Sequence, residues 1–200
     1  RPAGRRGAAP SMNRPPSPGD DLDFTHPGTT PAPAITPQQV ERVRKEAATG
    51  GRQLDESGYY VSIARRPAAR IPPRHGDKYV VLAVEDDSDL GQLLIDIFTL
   101  SGFEVRWASN RAEINSELNR KPEADVILMD IVLPDANGLE VLQRLRGHPR
   151  LANLPVIMMT GKSGPEDVLA GLAAGADGYV SKPFKMSGLV KAVKTVLGNA

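Results

Sequence analysis

Between Lys78 and Ala200 short apolar runs alternate five times with amphipathic stretches, and this alternation limits the possible folds more than any other feature of the chain. Tyr79 to Val84, Phe103 to Trp107, Asp125 to Met129, Val156 to Thr160 and Gly178 to Val180 read as strands. After them, Leu90, Leu93, Leu94, Ile97 and Phe98, then Ile114 and Leu118, then Leu139, Val141, Leu142 and Leu145 recur at helical spacing. Residues 165–174 and 189–197 complete the set, the last carrying Val190, Val193 and Val196. Asn110 with Glu113 predicts a capped helix start, and Gly102 a helix end. Strands that are apolar on both sides need cover on both faces, and right-handed crossovers put helices there. The predicted fold is α/β: a doubly wound, five-stranded parallel sheet in the flavodoxin-like order 2-1-3-4-5.

The residues standing just past the strand ends point to chemistry. The first strand delivers Glu85 and Asp86, the third Asp130, the fourth Thr160, and the fifth, two residues after Val180, Lys182. In the order 2-1-3-4-5 these ends surround the crevice where open α/β sheets bind ligands. Asp130 is followed by Pro134 and Asn137-Gly138, so the next helix starts some eight residues on, too far for Asp130 to cap it. Three carboxylates about 5 Å apart repel by ~3 kcal/mol per pair at an effective dielectric near 20, so they protonate or gather a dication. Oxygen donors without His or Cys select a hard ion, and Mg²⁺ uses one or two carboxylates plus phosphate. Glu85, Asp86 and Asp130 are therefore read as a Mg²⁺ cup, with Asp130 placed as a nucleophile and Thr160 and Lys182 facing a transferred phosphoryl group. Singly, a strand-ending Thr is a turn residue and a lone Lys a solvated one; the joint placement carries the reading.

The first 77 residues are a different polymer. Residues 1–76 hold twelve of the eighteen prolines and a charge balance of +5, against −4 for the remainder. Residues 1–34 are expected to be a disordered Pro-rich tail, because they cannot bury enough apolar surface to offset chain entropy. Within 35–77, Thr36, Pro37 and Gln39 open a short helix over about 37–48, residues 59–63 are a candidate short strand, and Pro67, Pro72 and Pro73 stiffen a linker. Met12 offers a native start. The absence of cysteine excludes a disulfide framework, thiolate metal ligands and a cysteine nucleophile. No apolar run reaches the roughly eighteen residues of a membrane span, so a cytoplasmic protein with no membrane partner is expected.

Residues 79–199 resemble the receiver domain of two-component response regulators. The resemblance rests on Val84-Glu85-Asp86-Asp87, on Leu128-Met129-Asp130-Ile131-Val132-Leu133-Pro134, on Met158-Met159-Thr160-Gly161, and on Gly175 to Phe184 with Tyr179 and Lys182-Pro183. It implies that Asp130 accepts phosphoryl from a histidine kinase or histidine phosphotransfer protein. It also implies that Mg²⁺ is held by Glu85, Asp86, Asp130 and the Val132 backbone carbonyl, and that Thr160 and Tyr179 form the switch, the Tyr179 ring turning inward. Lys182-Pro183 is expected to be cis. A downstream protein target would meet the face of helix four, strand five and helix five, where Lys185, Ser187 and Gly188 depart from the usual helix opening. With the fifth helix ending the sequence, no DNA-binding domain is seen. A stand-alone relay or adaptor is expected, with the C-terminal receiver of a hybrid histidine kinase or a non-phosphorylated interaction module as alternatives. Turnover as a haloacid-dehalogenase-type phosphatase would need an acid where Val132 stands, and a flavodoxin's phosphate would be repelled by Glu85-Asp86-Asp87.

Overall fold

The computed structural model describes residues 53–54, 60–63, 67, 69–161 and 170–199. The tail over 1–34 and the helix expected over 37–48 lie outside them. In chain order the elements are β1 Gln53–Leu54, β2 Tyr60–Ile63, β3 Val80–Val84, α1 Ser88–Leu100, β4 Glu104–Ala108, α2 Arg111–Asn119, β5 Val126–Asp130 and α3 Gly138–Gly147. β6 Val156–Thr160, a helical segment α4 at residues 170–173, β7 Gly178–Ser181 and α5 Met186–Val196 follow.

The five expected strands pair in parallel in the spatial order β4-β3-β5-β6-β7, which is the predicted 2-1-3-4-5. Their side chains alternate between two cores. Val80, Leu82, Val84, Ile127, Met129 and Met158 meet α2, α3 and α4, while Val81, Ala83, Val126, Leu128 and Ile157 meet α1 and α5. Burial on both sides explains why these strands read as continuous apolar runs.

The sheet is wider than expected. β1 and β2 form an antiparallel hairpin pair, and β2 adds antiparallel to the outer side of β7 with Val61 opposite Val180 and Ile63 opposite Gly178. β2 falls within the stretch 59–63 read as a candidate strand, and its partner is the parallel sheet itself, which has seven strands among the described residues. The linker behind it is fastened as well: Ile71 N–H donates to the Leu197 carbonyl at 2.9 Å and Arg74 N–H to Asp125 Oδ1 at 2.8 Å.

Short polar side chains set the helix starts. Asp87 caps α1 by accepting from the amides of Asp89 and Leu90, and Asn137 caps α3 through Leu139 N–H. At α2 the expected cap forms, Asn110 accepting from Glu113 N–H while Glu113 reaches back to Ser109 N–H. α5 begins at Lys185 with no side-chain cap bond, as its opening residues suggested.

Candidate functional site

Parallel strands in register bring their carboxyl ends to one edge, and the residues there converge. Glu85 follows β3 and is only 1 % exposed, its backbone pinned to β4 because Glu85 N–H donates to the Ala108 carbonyl and Trp107 Nε1–H donates to the Glu85 carbonyl at 2.7 Å. Asp130 ends β5 and is buried; Asp86 is exposed. Carboxylate oxygens from Glu85, Asp86 and Asp130 lie within 4.8 Å of one another.

The ammonium of Lys182 sits between two of these acids. Its Nζ donates to Glu85 at 2.8 and 2.7 Å and to Asp130 Oδ2 at 2.6 Å. Lys182 reaches them from just beyond β7, across β6, its own backbone N–H tied to the Thr160 carbonyl at 2.6 Å. The Lys182–Pro183 bond is cis, as expected. Burial pushes the Glu85 carboxyl upward, and the Lys182 hydrogen bond and charge offset only part of that, so it titrates above the usual range. For Lys182 burial works against the charged form, but the hydrogen bonds to Asp130 and Glu85 outweigh it and hold the ammonium's pKa above normal. Three carboxylates facing one ammonium leave the cluster short of positive charge. Its donors are all hard oxygens, a set that suits a small dication.

The loop leaving Asp130 is folded back on itself. Val132 N–H donates to Asp130 Oδ1 at 3.1 Å, Val132 and Asn137 form an isolated antiparallel bridge, and Gly138 N–H donates to the Ile131 carbonyl. A Cβ on Gly138 would fall 2.0 Å from the Asp130 carbonyl oxygen, so only glycine lets α3 start this close to the acid. The Val132 side chain stands 60 % exposed beside the crevice.

Thr160, buried at the end of β6, lies on the strand next to Asp130 and pairs with Ser181. The Tyr179 ring is fully buried rather than lying at an exposed edge; it packs in the core with Met158 and Leu172, and a Cβ on Gly171 would approach it to 2.9 Å. The structure thus brings Glu85, Asp86, Asp130 and Lys182 into one cluster, with Thr160 at the adjoining strand end and Tyr179 farther back, along β7.

Two supports of this edge are absent from the sequence reading: Trp107 holds Glu85, and Asp87 caps the helix leaving the acid pair. At the opposite end of β5, buried Asp125, also not singled out there, accepts from Val80 N–H at 2.7 Å and from Arg74 N–H. Only Asp125 left a signal: an acid at the head of an apolar strand must find donors if it is buried.

A family model described as the response regulator receiver domain matches residues 81–194. Among curated proteins, the transcriptional regulatory protein GltR of Pseudomonas aeruginosa is 37 % identical over 120 residues, 60 % of this chain and 49 % of that one. The phosphate regulon transcriptional regulatory protein PhoB of the same organism is 33 % identical over 118 residues, 58 % of this chain and 51 % of that one. Among solved structures, the chemotaxis protein CheY4 of Vibrio cholerae superposes with a TM-score of 0.56 at 29 % identity, over 60 % of this chain and 98 % of that one. The chain spans about half the length of the curated relatives it matches.

Proposed function

Because the chain belongs to the response regulator receiver family, as the match over residues 81–194 shows, we propose that Asp130 is its phosphoacceptor and that a phosphohistidine on a histidine kinase or phosphotransfer protein is the donor. A carboxylate oxygen of Asp130 bonds to phosphorus as the phosphorus–nitrogen bond to the donor imidazole breaks; the electron pair goes to the ring nitrogen, which takes up a proton. Lys182, which donates to Asp130 Oδ2, would exchange part of that contact for the phosphoryl oxygens. Glu85, Asp86, Asp130 and the Val132 carbonyl would hold Mg²⁺, which supplies positive charge to those same oxygens.

Thr160 and Tyr179 are the proposed relay to the protein surface. A phosphoryl group adds about −1.5 to −2 charge, which draws a neighbouring hydroxyl and ammonium. The downstream target is a protein meeting the face of α4, β7 and α5. Among the described residues no helix is long and apolar enough to cross a membrane, in keeping with a cytoplasmic setting.

The observation that carries this reading is the Lys182 ammonium held between Glu85 and Asp130, with Asp86 alongside. Incubation with acetyl phosphate and Mg²⁺ tests it by intact mass. One added phosphoryl group is expected on the natural chain and none on Asp130→Asn or in excess EDTA. Full labelling of Asp130→Asn would refute the assignment.

A further inference from the structure

A parallel sheet ending on β7 would leave that strand's outer N–H and C=O groups open, a template for pairing with any extended segment. Here the template is taken by the chain's own residues: Val61, Ser62 and Ile63 stand opposite Val180, Tyr179 and Gly178. Ile63 packs onto the core that contains Leu189 and Val193 of α5, so the segment covers the helix as well as the strand edge. We propose that β2 is a resident strand ligand of the β7 edge, held in cis, and that a partner which docks by adding an extended, antiparallel strand to this edge must first displace it.

The linker behind β2 is built to keep it there. Eight residues downstream of Ile63, Ile71 is bonded to Leu197 at the end of α5, and its carbonyl accepts from Tyr79 Oη–H at 2.5 Å while Arg70 Nε–H donates to the same hydroxyl at 3.0 Å. Arg74 adds its backbone bond to Asp125 and an ion pair with Glu123 at 3.0 Å. Gly198 admits this close passage. Its φ is +72°, and a Cβ there would lie 2.8 Å from the Ala69 carbonyl oxygen and 2.9 Å from Arg70 Cα. So short a tether holds β2 at an effective concentration on the order of millimolar, which a strand arriving from another molecule must overcome. The edge concerned is that of the strand that carries Tyr179 and leads into Lys182, so displacement happens on the element that leads to the acid cluster. The proposal stands on the strand pairing and not on the chemistry of Asp130, so phosphoryl labelling and strand occupancy are read separately.

The test uses the full chain. Val61→Pro combined with Ser62→Pro removes both backbone N–H groups from the middle of β2, so the ladder to β7 cannot form whichever of them donates. Amide exchange over residues 178–181 is followed by mass spectrometry, together with polarisation of a fluorescein-labelled peptide of residues 53–66. At least tenfold faster exchange is expected in the proline variant, and the peptide should bind the variant, not the natural chain and not when the peptide carries the same prolines. Gly198→Ala disturbs the linker from the other side and should raise exchange at β7 as well. Exchange at 178–181 that is indifferent to both variants overturns the proposal, as does equal peptide binding to the natural chain and the variant, or no binding to a variant that still melts cooperatively.

Discussion

Lys182→Ala removes the only cation bonded to the acid cluster among the described residues, and the geometry sets the size of the effect. At the observed 2.6–2.8 Å, each contact of the ammonium with a carboxylate is worth about 6 kcal/mol at an effective dielectric of 20, before desolvation is subtracted. Without it, Glu85 and Asp130, whose oxygens lie within 4.8 Å of each other, confront each other with a repulsion of at least about 3.5 kcal/mol on the same scale. Breaking a buried pair by deleting one partner costs about 3–5 kcal/mol. Lys182 is 22 % exposed, and the water reaching it trims the expected loss to about 2–3 kcal/mol. In urea at pH 7 with EDTA, the midpoint should drop by about 1–1.5 M for a slope near 2 kcal/mol/M. Adding Glu85→Gln should return more than half of that loss, because it removes one of the two facing charges. Mg²⁺ should stabilise Lys182→Ala more than the natural chain, since no ammonium competes for the acids. A midpoint unchanged from the natural chain, with no greater response to Mg²⁺, would refute the claim that Lys182 is the cluster's counter-ion.

Further outcomes follow from other parts of the fold. Asp125→Ala leaves Val80 N–H buried without its acceptor and deprives the Arg74 N–H of its own, and should cost about 2–4 kcal/mol by urea denaturation, with Asp125→Asn in between. Gly138→Ala should lower the melting temperature by an amount matching at least 1–3 kcal/mol and reduce acetyl phosphate labelling together with it, because the methyl collides with the Asp130 backbone and not with a movable side chain. Glu113 gives a pH dependence. The backbone hydrogen bond from Ser109, then the Ser109 and Asn110 side chains, lower its pKa against a smaller effect of burial, so its stabilisation is complete above 4.5 and lost as pH falls through its lowered folded value. The urea midpoint of the natural chain should exceed that of Glu113→Gln at pH 6 and converge with it as pH falls below the lowered folded value.

The parallel sheet and its acid edge were legible because both are written locally. An apolar run such as Val126 to Met129 has to be covered on both faces, and a charged residue directly after such a run has to sit at the strand's end. Lys182 was legible only through strand order, since 97 residues separate it from Glu85. The pairing of β2 with β7 was not. Residues 60–63 are too short to announce a partner, and antiparallel addition across more than a hundred residues depends on which edge is open and where the linker turns. Asp87 and Trp107 escaped for a related reason: one resembles a fourth member of the acid cluster until its helix is seen to start beside it, and the other's indole N–H finds the Glu85 carbonyl only across a strand pair.

The bond between Ile71 and Leu197 brings the approach to the first parallel strand alongside the last turn of the final helix. The five parallel strands and their helices are in this sense nearly a closed ring, with its entry and exit side by side. Joining those two points by a few flexible residues, which leaves out β1 and β2, and opening the backbone instead between the exposed Pro149 and Arg150 should give a circularly permuted five-stranded protein that keeps the acid cluster intact, since neither cut nor splice touches the sheet's carboxyl edge.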